Sequence, residues 1–276
     1  MSKLYSNGRR PILSRLGIYF LLAFVIAWGT WFPSFNHPDS LKLLSFVGLF
    51  APAVSAIIVT YFFEKKIGIR KLLGRYKIVN FKNGWYIFSV LFIPILFVIA
   101  LGVDHVFFHT KINNLLLPQS PLLILASFFW LMIINSGEEI GWRGYALPKL
   151  QGLVKSPVYA SLILGIFWSA WHLPIYLVPG QSSIPLSLFF FFTIGLSFLY
   201  IILFNHTGGS LLSVLLLHAS TDVVPRIFNI ALFSNRTWLI FGLLVWLSAL
   251  FLFIAFKKKN NTVVADKMLA QQFLPS

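Results

Sequence analysis

The sequence predicts an all-α integral membrane protein, a single bundle of about eight transmembrane helices, and three observations predict it. The chain of 276 residues is 58% hydrophobic with a mean hydropathy of +0.84, more apolar than water-soluble domains of its size. Its apolar runs recur at about the 20 residues that a helix needs to cross roughly 30 Å of hydrocarbon at ~1.5 Å per residue. The runs are continuous and do not alternate apolar with polar residues, as the strands of a membrane barrel would.

Eight candidate spans run near 16–33, 43–63, 84–106, 120–142, 158–178, 185–204, 209–224 and 237–256. The first follows basic residues, as the core of a signal peptide does. Its apolar stretch is too long for one and no small-residue cleavage site follows, so it reads as a span. The second leads into a basic loop at 64–82, and the third ends on "DHVFFH", with Asp104, His105 and His109. The fourth closes on "INSGEEIGWRGYALPKL" (134–150) and turns into the fifth through "LVKSPV". The sixth contains "FFFF" at 189–192, expected to face lipid. The seventh starts at the turn "NHTGGS", and the eighth is followed by Lys257, Lys258 and Lys259. With no internal repeat and no long linker, residues 1–276 form one polytopic domain with tails at 1–15 and 257–276.

The formal net charge of +15 is distributed as a topology signal. Arg9, Arg10 and Arg15 precede the first span, and Lys65, Lys66, Arg70, Lys71, Arg75, Lys77 and Lys82 share one loop. Membrane proteins keep such residues on the cytoplasmic side, so both termini are expected there. The loop at 179–184, expected outside, has no Lys or Arg; Arg226 and Arg236, also expected outside, are discordant. The basic loop suits anionic lipid, and a nucleic-acid partner is not expected. The absence of cysteine excludes disulfides, thiolate metal ligands and a cysteine nucleophile.

An ionisable group inside a span costs about 2.5–3.5 kcal/mol and usually faces the bundle interior for a functional reason. Such groups are few: Glu138, Glu139 and Arg143 in the fourth span, His172 in the fifth, His218 and Asp222 in the seventh. Glu138 and His172 are each 17 positions from Lys155, the centre of the hairpin turn. If both arms are helical, the two are level in the membrane. His218 and Asp222 are four apart on one face, as are Glu139 and Arg143, so the arginine can offset one carboxylate. These groups are expected to converge in one buried pocket.

A desolvated carboxylate beside a second one is a better general base than in water. Histidines opposite it can ligate a metal or stabilise an oxyanion. Glu138, His172, His218 and Asp222 are together also a donor set suited to Zn2+ or another divalent ion with a water in the open position. Ser136 and Ser220 lie nearby and read as packing residues. By residue pattern alone, catalysis, transport and a structural polar cluster all remain open. Confinement of the groups to three spans at similar depth, with no interrupted helices in repeated halves, disfavours transport. His37 and His206 lie in turns and read as solvated, and the tryptophans and tyrosines as an interfacial belt.

Three motifs carry a family resemblance. "EEIGWRG" resembles the EExxxR motif of the CPBP (Abi) intramembrane proteases, which include type II CAAX prenyl endopeptidases and proteins linked to bacteriocin processing and self-immunity. "WSAWH" resembles the family's FxxxH, with His172 matching and Trp168 in place of phenylalanine. "HASTD" resembles its HxxxN/D, with His218 and Asp222. The three occur in order within 138–222, inside a catalytic core at about 120–224. The resemblance implies an endopeptidase, metal-dependent or glutamate-type, acting on a peptide or membrane-protein substrate near the cytoplasmic face of a bacterial plasma membrane. Glu138 would activate water, Glu139 and Arg143 would position it, and His172, His218 and Asp222 would complete the site. A non-catalytic immunity or regulatory protein that binds a membrane partner is the alternative.

Overall fold

The computed structural model describes residues 2–78, 84–111, 119–180, 182, 184–230 and 233–256, with side chains from residue 10 onward. The basic residues Arg9, Lys82 and Lys257–Lys259, and the tail at 257–276, lie outside the described side chains. The helices are α1 (Ser2–Asn36), α2 (Pro38–Leu49), α3 (Ala51–Gly74), α4 (Trp85–Phe108), α5 (Pro121–Glu139), α6 (Leu147–Val154), α7 (Pro157–Trp171), α8 (Leu173–Leu177), α9 (Leu186–His206), α10 (Leu211–Asp222), α11 (Val224–Ile227) and α12 (Asn235–Ala255). A π-helical segment, Ile140–Ala146, joins α5 to α6.

Local chemistry sets many of these boundaries. Ser120, Ser156, Ser210 and Ser234 each cap a helix, their hydroxyls accepting from Leu123, Tyr159, Ser213 and Thr237 N–H groups. Pro121 and Pro157 then fill the first helical position, where an N–H would have no intrahelical partner.

Each of the eight expected spans is helical, but not all are long. Among the described residues, five helices are long and apolar enough to cross a membrane, six if α2 and α3, bent by 49° at their junction, count as one span. The expected fifth span divides at His172 into α7 and α8, and the seventh at Val223 into α10 and α11. Proline accounts for both breaks. Pro174 and Pro225 lie in the first turns of α8 and α11, and neither can donate to a carbonyl of the preceding helix.

The bundle has two distinguishable ends. At one, Glu64 of α3 pairs with Arg15 of α1 at 3.8 Å and Lys149 of α6 at 3.5 Å, and Tyr86 of α4 meets Ser210 before α10. At the other, buried Asp104 of α4 accepts from Ser234, Thr237 and Arg236 at the start of α12. Arg236 also donates to Thr110 Oγ1 at 2.8 Å. Of the two discordant arginines, Arg236 is therefore held by a carboxylate.

Large apolar side chains such as Leu21, Phe62, Phe129, Leu247 and Phe251 are exposed, as an outer surface in lipid requires. Three expectations do not hold in detail. Phe192 is buried against Trp238 and Phe241, and Phe191 packs on Trp246, so the phenylalanine run is a helix contact. His206 is buried between Trp85 and Phe256 and is not solvated. Trp31, Trp142, Trp171, Tyr19, Tyr145 and Tyr200 are fully buried, where an aromatic belt would be interfacial. Rings supply a large apolar area that helix packing can use as readily as a headgroup layer can.

Candidate active site

The site forms where the end of α5 and the π segment meet α7, α9 and α10. Glycine lets the backbones approach. A Cβ on Gly137 would lie 2.8 Å from the Leu49 carbonyl oxygen, and one on Gly141 2.6 Å from the Pro52 carbonyl oxygen. The α5–π strip therefore presses against the α2–α3 bend, with Glu138 and Glu139 between its two glycines. π-Turns recur at functional sites.

Glu139 is fully buried and is the electrostatic hub. Its Oε1 accepts from Arg143 Nη1 at 2.8 Å and lies 2.7 Å from His218 Nδ1. The Arg143 guanidinium is sandwiched between Trp168 and Tyr200, its Cζ 4.1 and 4.0 Å from the ring centroids. Burial of such charges is tolerable only when they are paired and hydrogen-bonded, and the aromatic faces add cation–π attraction. Among the described residues, Glu139 Oε2 and Arg143 Nε and Nη2 have no hydrogen-bond partner.

Glu138 is also buried but has a different partner. Its Oε2 accepts from Trp168 Nε1 at 2.7 Å, while its Oε1 makes no hydrogen bond among the described residues. On the far side, His218 Nε2 is 3.6 Å from Asp222 Oδ2, which accepts from Asn135 Nδ2 at 2.9 Å.

His172 sits at the α7–α8 break. Its Nδ1 is 2.8 Å from the Trp168 carbonyl oxygen; a carbonyl only accepts, so this nitrogen carries the proton. In the neutral ring, Nε2 is then an acceptor. His172 lies beside the Trp168 ring, centroids 6.1 Å apart, and Trp168 also flanks His218 at 5.6 Å.

All six residues singled out in the sequence thus gather round Trp168 and Glu139. The level partner of Glu138 on α7 is Trp168, with His172 one turn beyond. The hairpin count assumed uniform helix, whereas the π segment on the α5 arm advances less per residue because each turn holds more residues. Among the described residues, no three of His, Asp or Glu close on a common point as metal ligands do.

Asn135 and Tyr200 belong to the site and were missed. Both are polar groups within apolar spans, but a scan restricted to ionisable side chains passes over an amide and a phenol.

Comparison with known proteins bears out the resemblance. Residues 118–224 match the family model for type II CAAX prenyl endopeptidase Rce1-like proteins, a stretch that contains every site residue. The chain is also similar to CAAX prenyl protease 2 of Methanococcus maripaludis, at 32% identity over 58% of this chain. The match spans 62% of that relative's length.

Proposed function

We propose that this Rce1-like membrane chain is an intramembrane endopeptidase, with Glu138 as the general base that activates water. The observation that supports this most is the division of labour between adjacent carboxylates. Glu139 is committed to Arg143 and His218, whereas Glu138 keeps one oxygen free beside them.

In the proposed reaction, Glu138 Oε1 takes a proton from water as the water oxygen adds to the scissile carbonyl carbon. The carbonyl π pair moves to its oxygen, and a protonated His218 Nε2 faces that charge. Collapse of the tetrahedral intermediate re-forms the carbonyl and breaks the C–N bond, with Glu138 returning its proton to the leaving amine. Glu139 fixes the His218 ring through Nδ1, and Arg143 balances Glu139. The Trp168 N–H orients Glu138. Asp222, held by Asn135, faces His218 Nε2, and His172 supplies a neutral acceptor at the rim.

The substrate is a peptide or membrane protein in the bilayer. The Rce1-like match supports a CAAX-type substrate, and the motif resemblance also admits a bacteriocin-related one. Both termini are proposed to be cytoplasmic in a bacterial plasma membrane. A divalent metal such as Zn2+, held by Glu138, His172, His218 and Asp222, is a second reading, favoured by the free His172 Nε2 acceptor.

Membrane proteomes from cells expressing wild-type protein and Glu138→Gln at equal level provide the test. At least one uncleaved precursor is expected to accumulate in the variant, with cleavage reduced by about two orders of magnitude or more. Identical proteomes with a surviving phenotype would support the non-catalytic immunity or regulatory reading. Chelation in the same assay is expected to leave cleavage unchanged, and loss restored by Zn2+ would favour the metal.

A further inference from the structure

We propose that Arg15 and Lys149 form a discrete site for the phosphate of an anionic lipid, at the end of the bundle where α1, α3 and α6 meet. Such a site is independent of the protease reading. It is also more specific than the general attraction of the basic loop for anionic lipid.

The charges there do not balance. Arg15 Nη1 and Lys149 Nζ both approach one atom, Glu64 Oε1, at 3.8 and 3.5 Å. Both contacts are longer than the ~2.7–2.9 Å of a charge-assisted hydrogen bond. One carboxylate oxygen therefore serves two cations and holds neither closely. Of the seven Asp and Glu, Glu138, Glu139 and Asp222 belong to the active site, while Asp39 and Asp104 lie at the opposite end. Asp266 is outside the described residues. Glu64 is thus the one described carboxylate at this end.

The remaining neighbours of the two cations are rings. Lys149 is buried, and its Nζ lies 4.0 Å from the centroid of Tyr145. The Arg15 guanidinium lies over Phe63, with Cζ 4.6 Å from the centroid. Among the described residues, Arg15 Nε has no hydrogen-bond partner. A ring face is a weaker counterpart to a cation than an anionic oxygen is, and a buried cation without a full counter-charge is costly. The Arg15 and Glu64 side chains remain 30% and 28% exposed, so an anion can reach the pair from outside.

The surroundings select an amphiphile over a free anion. Leu13 on α1, and Phe62, Phe63 and Ile67 on α3, are exposed apolar residues that flank Arg15 and Glu64 in the chain. A lipid with its phosphate on Arg15 and Lys149 would lay its acyl chains against this wall, burying apolar area that inorganic phosphate cannot. The planar guanidinium can give a phosphate two parallel N–H bonds, and the ammonium supplies a point charge. Glu64 competes with the phosphate for both cations and so limits the affinity.

The full-length chain purified in detergent provides the test, by native mass spectrometry and thermal unfolding with added phosphatidylglycerol, phosphatidylcholine or inorganic phosphate. Phosphatidylglycerol is expected to remain bound and to raise the unfolding temperature, and the other two are expected to do neither. Arg15→Gln and Lys149→Gln are each expected to weaken phosphatidylglycerol binding by about tenfold. Glu64→Gln is expected to tighten it, an outcome that misfolding cannot imitate. Arg70→Gln removes an equal charge from an exposed position of α3 and should bind as wild type does. Equal protection by inorganic phosphate would make this a site for a soluble anion, and equal binding of phosphatidylcholine would remove charge from the recognition. A loss in Arg70→Gln as large as in Arg15→Gln and Lys149→Gln, or no tightening in Glu64→Gln, would reduce binding to the general attraction of a basic surface. Each of these results overturns the proposal.

Discussion

Trp168 makes three contacts that no other site residue combines. Its N–H orients Glu138, its ring covers Arg143, and its carbonyl fixes the His172 tautomer. Trp168→Phe keeps the last two and removes the first. A hydrogen bond to a charged group contributes about 1.5–3 kcal/mol, and ~1.4 kcal/mol is tenfold in rate. The variant is therefore expected to lose about tenfold to hundredfold in kcat with KM and thermal stability nearly unchanged, measured on a substrate identified by the proteomic comparison. Unaltered kcat would reduce Trp168 to an aromatic wall. The six ionisable residues were legible in the sequence because each is costly in a span. Their pairing was not: sequence places His218 equally well opposite Glu138 or Glu139, and only the packing of α10 on α5 gives it to Glu139.

At the scale of elements, the α5–π strip depends on its glycines. Gly137 and Gly141 form a small-xxx-small pair, a signal present in "GEEIG". The π segment that begins at Ile140 and includes Gly141 has no comparable sequence signature. Gly141→Ala would put a Cβ 2.5 Å from that of Pro52 and 2.6 Å from its backbone, with no flexible side chain to yield. Overpacking of this kind costs about 1–3 kcal/mol. A lowered unfolding temperature in detergent and impaired cleavage are expected, because the displaced strip carries both glutamates. Gly29→Ala, whose Cβ meets nothing within 4 Å, is the control and should be as stable as wild type. Equal stability of Gly141→Ala would show that the strip can move away from the α2–α3 bend.

For the whole molecule, the end opposite the basic cluster is tied by Asp104, the buried acceptor that joins α4 to α12. Asp104→Asn keeps the shape and removes the charge facing Arg236. A loss of about 1–3 kcal/mol is expected, read as a lower unfolding temperature with cleavage per folded molecule unchanged. An unaltered temperature would mean that Ser234 and Thr237 suffice without the charge. The sequence by itself determined the class, the approximate place of the apolar segments and the identity of the chemical groups. The hydrophobic cost of a span and the penalty for an ion within it are properties of a segment read alone. Only the tertiary structure decided which carboxylate pairs with Arg143 and His218 and which helices stop short. Those outcomes depend on contacts between segments far apart in the chain. Hydropathy within one segment does not encode which side chain faces which neighbour, or at what height.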